Sequence, residues 1–245
     1  MSSTRVAVVT GGGSGIGRAT CTRLTADGFT LAVLDVNGDA AKVAAGPDGL
    51  GCVTDVADAS SVEEGIAQVV RAFGRIDVLV NNAGISGSAD ATICHETTVD
   101  EWDRVLAINT RGPFLCSRAA LPVMLAQGAG HIITVASVAG QVAFPGRCAY
   151  TASKGAALMF AKSLAADYAA AGIRSNAVCP GFVRTPMTQW RLDVPELRER
   201  VEANIPTGRV AEPDDIADAI AVLASGRLGY MTGAALVVDG GWTVL

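Results

Sequence analysis

A chain of 245 residues, half of them apolar and only 18% charged, fits one large α/β domain with a buried parallel sheet. A net charge of −5, a pI near 5.0 and no Lys/Arg cluster exclude the basic stripe that a nucleic-acid partner would need. The longest apolar run falls short of the ~18–20 residues that span a bilayer, and no signal-peptide pattern precedes Arg5-Val6, so the expectation is a cytoplasmic protein without a membrane partner.

Apolar runs predict strands at 5–10, 31–35, 50–54, 77–80, 131–136, 174–179 and 234–238, with helical patterns between them. Such β-α alternation with short links means parallel strands and right-handed crossovers. The result is a doubly wound, about seven-stranded parallel sheet with helices on both faces, in one domain over 1–245. Ligands are then expected outside the carboxyl ends of the strands.

The first strand runs into Thr10-Gly11-Gly12-Gly13-Ser14-Gly15-Ile16-Gly17, where a helix opens, the setting of a phosphate-cradling turn. Gly11 permits the tight turn, Gly15 lets backbone N–H groups approach a pyrophosphate, and Gly17 allows close helix–strand packing. The helix amino terminus adds partial positive charge. The spacing is Gly-x-x-x-Gly-x-Gly, with Arg18 standing where the last glycine of Gly-x-Gly-x-x-Gly would be.

Asp35 ends the second strand, twenty residues after Gly15. A carboxylate there accepts hydrogen bonds from both ribose hydroxyls of an adenosine and repels a 2′-phosphate. Val36 and Asn37 follow, with no arginine to compensate, so the expected cofactor is NAD rather than NADP. Asp55-Val56 suits the adenine edge, and Asn81-Asn82-Ala83-Gly84 bounds the cleft after the fourth strand. Ser60-Ser61-Val62-Glu63 and Thr98-Val99-Asp100-Glu101 read as capping boxes, and Pro213 with two aspartates opens a later helix.

Tyr150-Thr151-Ala152-Ser153-Lys154 puts a phenol and an ammonium on one helix face, one turn apart. A phenol with its ordinary pKa of about 10 is a poor acid–base catalyst at neutral pH. A neighbouring lysine cation favours the phenolate and pulls that pKa down. Tyr-x-x-x-Lys alone is a weak signal; Ser137 and Asn109 upstream give it weight. The six cysteines and two histidines show no metal-ligand spacing, so no metal is expected and Cys148 reads as packing.

Taken together, Thr-Gly-x-x-x-Gly-x-Gly, Asn-Asn-Ala-Gly, Ser137, Tyr-x-x-x-Lys and Pro180-Gly181 closely resemble the short-chain dehydrogenase/reductase family over essentially the whole chain. The resemblance implies a Rossmann fold, a nicotinamide cofactor, a homotetramer and a four-residue catalytic set. Tyr150 would be the general acid/base, Lys154 would lower its pKa and bind the nicotinamide ribose, Ser137 would polarise the substrate oxygen, and Asn109 would hold a relay water. The implied cofactor residues are Gly11, Ser14, Gly15, Ile16, Gly17, Asp35, Asp55, Val56, Asn82, Ala83, Gly84, Tyr150, Lys154, Pro180, Gly181, Val183 and Thr185. The implied activity is interconversion of a secondary alcohol and its ketone.

The proline-rich stretch at about 181–212 breaks the β-α rhythm and reads as a substrate lid or a surface helical hairpin. Candidate substrate residues are Ser137, Val138, Gln141, Phe144, Arg147, Tyr150, Phe182, Met187, Trp190 and Arg191, with Ser86 nearby. Most are apolar. Arg147, Arg191 and Arg198 are either solvated surface cations or, if they converge, a fork for a sulfonate, carboxylate or phosphate tail. The segments 144–147 and 185–193 look like the R-specific 2-hydroxypropyl-coenzyme M dehydrogenase subgroup, which implies a sulfonate held at Arg147 and Arg191. A 3-oxoacyl-thioester reductase is the alternative, disfavoured by Asp35; a catalytically silent NAD sensor would have a damaged set of four. The apolar tail 240–245 suits a subunit contact.

Overall fold

The computed structural model describes residues 4–88 and 91–244; Leu245, the end of the apolar tail, lies outside the described residues. Strands β1 Val6–Thr10, β2 Thr30–Asp35, β3 Leu50–Val53, β4 Val78–Asn81, β5 Gly130–Val135, β6 Ile173–Pro180 and β7 Ala235–Val238 fall within a residue or so of the expected runs. They form one parallel sheet in the order β3-β2-β1-β4-β5-β6-β7. The order reverses between β1 and β4, which opens a crevice at the carboxyl ends of those strands.

Helices cover both faces: α1 Gly15–Ala26, α2 Gly38–Ala45, α3 Ala59–Phe73, α4 Val99–Leu106, α5 Gly112–Gln127, α6 Cys148–Tyr168 and α9 Pro213–Ala224, with short α7 Gln189–Leu192 and α8 Pro195–Glu202 in the lid stretch. Strand alternation divides the core. Ala7 and Val9 face α1 and α9 through Leu24, Ile216 and Ile220, while Val6 and Val8 face α3 and α5 through Ile66, Leu121 and Met124. Each fully buried Leu or Ile contributes about 1.5–3 kcal/mol. Among the described residues, no helix is long and apolar enough to cross a membrane.

Local signals fix the helix ends. Thr98 caps α4, its side chain accepting from the Glu101 N–H at 3.2 Å. The Glu101 carboxylate does not close the expected box; it turns to the Ser88 N–H at 2.7 Å and to Arg104. The start of α3 lies earlier than the Ser60 box suggests, because Asp58 accepts from Ser61 and caps Ala59. At α9 the box is complete between Glu212 and Asp215.

Between α4 and α5 the backbone opens into a π turn over Ala107–Arg111. Pro113 explains it: a proline has no N–H for the carbonyl four residues back, that of Asn109, and its ring crowds that oxygen. On β5, His131 is buried, its Nδ1–H donating to the Leu223 carbonyl at 3.1 Å and its Nε2 accepting from Asn176 at 2.9 Å. Burial, aided by the charge of Arg174, lowers its pKa to about 3, so the ring is a neutral strut between strands and α9.

Candidate active site

The glycine-rich turn sits where the sheet order reverses. Gly11 has φ +62°, and a Cβ there would lie 2.8 Å from the Ala83 backbone, so the turn and the Asn81–Gly84 segment touch through bare backbone. Asn82 seals the contact, its Nδ2 donating to the carbonyls of Thr10 (2.9 Å) and Gly11 (3.0 Å). Thr10 Oγ1 accepts from the N–H groups of Asn82 and Ala83, both at 3.0 Å. Gly17 does not line the crevice; as its packing role required, any side chain there would meet the Gly11 carbonyl and Asn82.

Two cavities form one crevice. The first, about 240 Å³, is lined by Gly11, Ser14, Asp35, Asp55, Val56, Ala83 and Gly84, joined by Thr54, Ile85 and Ile108. The second, about 160 Å³, is lined by Ser14, Gly15, Ile16, Asn82, Gly84, Tyr150, Lys154, Pro180, Gly181, Val183 and Thr185. They share Ser14 and Gly84 and so run end to end past the α1 amino terminus. Asp35 stands at the far end with its carboxylate pre-aimed by N–H groups of Gly13 and Asn37, each at 2.9 Å. A dinucleotide fits this arrangement: a bare-backbone cradle for the diphosphate, a carboxylate for one ribose, and polar side chains at the other end.

At that other end Ser137 follows β5 and accepts from the Ala139 N–H at 3.1 Å. Tyr150 and Lys154 project from one face of α6, with Nζ 5.8 Å from the phenol ring centroid. Lys154 is buried and donates to the Val135 carbonyl at 2.9 Å. Asn109 is buried in the π turn, donating to the Ile85 carbonyl (2.8 Å) and Ser153 Oγ (3.0 Å) and accepting from the Ile85 N–H (2.9 Å). All four residues singled out in the sequence thus gather at one end of the crevice.

Their electrostatics correct one expectation. Burial pushes the Tyr150 phenol above its ordinary value, and the hydrogen bond with Ser137 opposes this only in part. Burial also brings Lys154 down to about 8, against a small upward pull from Cys179. Removing water penalises both ions of the pair, so the ammonium alone does not deliver a phenolate. The Ser137 hydroxyl is the neighbour that acts in that direction.

Beyond Ser137 and Tyr150 opens a further cavity of about 90 Å³, lined by Val138, Phe144, Arg147, Phe182, Met187, Trp190 and Arg191, with Ser86, Gly181, Thr188 and Trp242. Gln141 is not among them: it is exposed and bonds to Cys179 instead. Arg198 is also elsewhere, paired with Glu202 on α8 at 2.9 Å. Arg147 donates to the Ser88 carbonyl at 3.0 Å, and Arg191 stacks 4.8 Å from the Trp190 ring centroid. Burial lowers the Arg191 pKa, and the like charge of Arg147 adds to the effect. Two cations therefore face one largely apolar chamber.

Reading the sequence missed Thr188, which braces the lid turn by bonding Thr185 and the Val183 carbonyl, and Trp242. Among the described residues no group of three His, Cys, Asp or Glu could hold a metal ion.

Known proteins resemble this chain along nearly its whole length. Residues 11–243 fit the short-chain dehydrogenase family model described as enoyl-(acyl carrier protein) reductase. The chain is 51% identical over 248 residues to 2-(R)-hydroxypropyl-CoM dehydrogenase of Xanthobacter autotrophicus, covering 98% of this chain and 99% of that one. It is 39% identical over 249 residues to the 3-oxoacyl-[acyl-carrier-protein] reductase FabG of Staphylococcus aureus, with 98% and 99% covered. The crystal structure of levodione reductase superposes with a TM-score of 0.90 at 36% identity, covering 98% of each chain. The chain belongs to the short-chain dehydrogenase/reductase family, oxidoreductases that work with a nicotinamide cofactor.

Proposed function

We propose that the chain is an NAD-dependent alcohol dehydrogenase and ketone reductase for a small 2-hydroxyalkyl substrate with an anionic tail. The observation that carries this reading is the position of Arg147 and Arg191, which line the chamber that Ser137 and Tyr150 open into. Neither arginine has an ion-pair partner among the described residues. Guanidinium pairs at partly dry sites bind carboxylates, sulfonates and phosphates in a directed way. The name of the 51% identical relative, a hydroxypropyl-CoM dehydrogenase, points the same way.

A bound nicotinamide would supply or take up the hydride, leaving the chain to manage the oxygen and its proton. Tyr150 and Ser137 hydrogen-bond the oxygen where negative charge grows during reduction, and Tyr150 donates the proton, taking it back in oxidation. Lys154 would hold the nicotinamide ribose, and Asn109, fixed by Ile85 and Ser153, would hold the relay water beside it. Asp35 would accept from the adenosine ribose and repel a 2′-phosphate, which would select NAD. Residues 181–212 close over the substrate as the lid of a single domain. The family resemblance leads us to expect a homotetramer, and the scattered cysteines without pairing pattern a cytoplasmic setting.

Reduction of acyl-carrier thioesters is the second reading, supported by the family description and the FabG relative. Asp35 and the small chamber oppose it. Initial rates of NADH oxidation on a 2-oxoalkyl sulfonate, an uncharged ketone of equal length and a 3-oxoacyl thioester test both readings. We expect kcat/KM to favour the sulfonate over the neutral ketone by about 100-fold, an effect of the size that desolvated charge pairs give. Equal values would dismiss the anionic tail, and a preference for the thioester would install the alternative.

A further inference from the structure

We propose that Trp242, on the turn that follows the last strand, is the wall that limits substrate length. This rests on the carbonyl-reductase reading above but not on the anionic tail.

The indole lines the 90 Å³ chamber and bridges aromatic rings from two distant segments. Its centroid lies 5.2 Å from Phe144 at an interplanar angle of 76°, and 6.2 Å from Phe182 at 46°. Phe144 belongs to the loop before α6, and Phe182 follows β6, so the indole closes the gap between the two walls. It also packs on the lid cluster of Phe182, Leu192, Ile205 and Val210.

The tail is held firmly enough to serve as a wall. Asp239 accepts from the N–H groups of Gly241 and Thr243, both at 2.9 Å, and from the Thr243 hydroxyl at 2.7 Å. Burial would raise the Asp239 pKa, but these hydrogen bonds prevail and hold the carboxyl below its usual range. The chain reverses at Gly240 and Gly241 (φ +65° and +89°), where a Cβ would strike Thr207 and press on Pro206. Thr207 donates its N–H to the Gly240 carbonyl at 3.1 Å. Tail and lid thus fix each other.

Across Phe182, which Trp242 packs against, there is further room. A second cavity of about 110 Å³ shares Phe182 with the chamber and is lined by Asp239 and Gly240, the residues leading into the indole. Truncating Trp242 extends the chamber towards that space. An apolar pocket discriminates single methylenes by about 10- to 200-fold, so such an extension is readable in turnover.

The test compares NADH-dependent kcat/KM for linear 2-ketones of four to ten carbons in the wild type, Trp242→Ala and Trp242→Leu, with calorimetric binding of the same ketones to the NAD-loaded proteins. Leucine keeps an apolar contact with the lid cluster while shortening the wall, so it covers a folding defect in the alanine variant. We expect the ratio of ten-carbon to four-carbon kcat/KM to rise at least about tenfold in Trp242→Ala and by less in Trp242→Leu. Ratios within twofold of wild type in both variants would overturn the proposal. If the wild type turned over no ketone, the enzymatic reading would fail separately, and the length dependence of binding would still decide for or against the wall.

Discussion

At the β1–β4 end of the crevice, the surface facing a ligand is mostly backbone and small residues, closed by the Asn82 and Thr10 hydrogen bonds. At the substrate end it is made mostly of side chains, the largest of them Phe144, Arg147, Tyr150, Phe182, Trp190, Arg191 and Trp242, drawn from well-separated segments. Backbone cradles tolerate almost no substitution, because a single Cβ at Gly11 or Gly17 collides with neighbouring chain. A chamber of side chains can be resized one residue at a time. One fold can thus hold its cofactor end fixed while its substrate end is resized.

The sharpest way to break that division is at the point where the two ends meet. Tyr150→Phe keeps the ring and loses the hydroxyl, so kcat should fall by about 10³-fold or more while NAD binding, followed by calorimetry, stays within a few-fold of wild type. A variant retaining wild-type kcat would refute the role given to Tyr150. Lys154→Met should also end turnover yet stabilise the fold. Its ammonium titrates near 8 in the native state against 10.5 unprotected, so burial of the charge costs roughly 3 kcal/mol below about pH 8, a cost that disappears as pH rises towards 10.5. Denaturant midpoints at pH 7 check this; a lower midpoint would show that the bond to Val135 outweighs the charge.

Arg191→Glu probes the substrate end alone. Charge reversal beside Arg147 should raise KM for an anionic hydroxyalkyl substrate by about 100-fold and leave a neutral ketone within a few-fold. Equal changes for both would remove the cation pair from the account. Asp35→Asn does the same at the cofactor end: with the repelling charge gone, the NADP-to-NAD ratio of kcat/KM should rise about tenfold. Because Asp35 also holds the Gly13 and Asn37 N–H groups, the measurement is the ratio rather than either value.

The same contrast explains what the sequence disclosed. The strands and the glycine turn were legible because their causes are local: apolar runs, short links, and glycines where φ is positive. Tyr150 and Lys154 stand out by their one-turn spacing, and Ser137 and Asn109 through the family resemblance. The chamber is legible from the loops above the strand ends, which supply Phe144 and Arg147, and from the proline-rich lid, which supplies Arg191. Trp242 is not, since its place depends on a tail folding back through Asp239 onto the lid. Gln141 was misplaced for the reverse reason, a near neighbour in sequence whose side chain points to Cys179. The π turn at Asn109 had a visible cause in Pro113, but its meaning needed the folded helix.

The smallest expected effect lies outside both ends, in the scaffold beneath them. His131 ties β5 to Asn176 on β6 and to the Leu223 carbonyl on α9 as a neutral ring, with a native pKa of about 3 against 6.5 when unprotected. The unfolded chain therefore takes up the proton first. Its stabilising contribution is complete above about pH 6.5 and is lost as pH falls towards 3, amounting to roughly 2 kcal/mol between pH 7 and pH 5. His131→Gln retains a donor and an acceptor but has nothing to titrate. Its urea-unfolding free energy should fall less steeply over that interval than that of the wild type. Parallel curves would mean that the acid sensitivity arises at carboxylates such as Asp215 and Asp239 rather than at this strut.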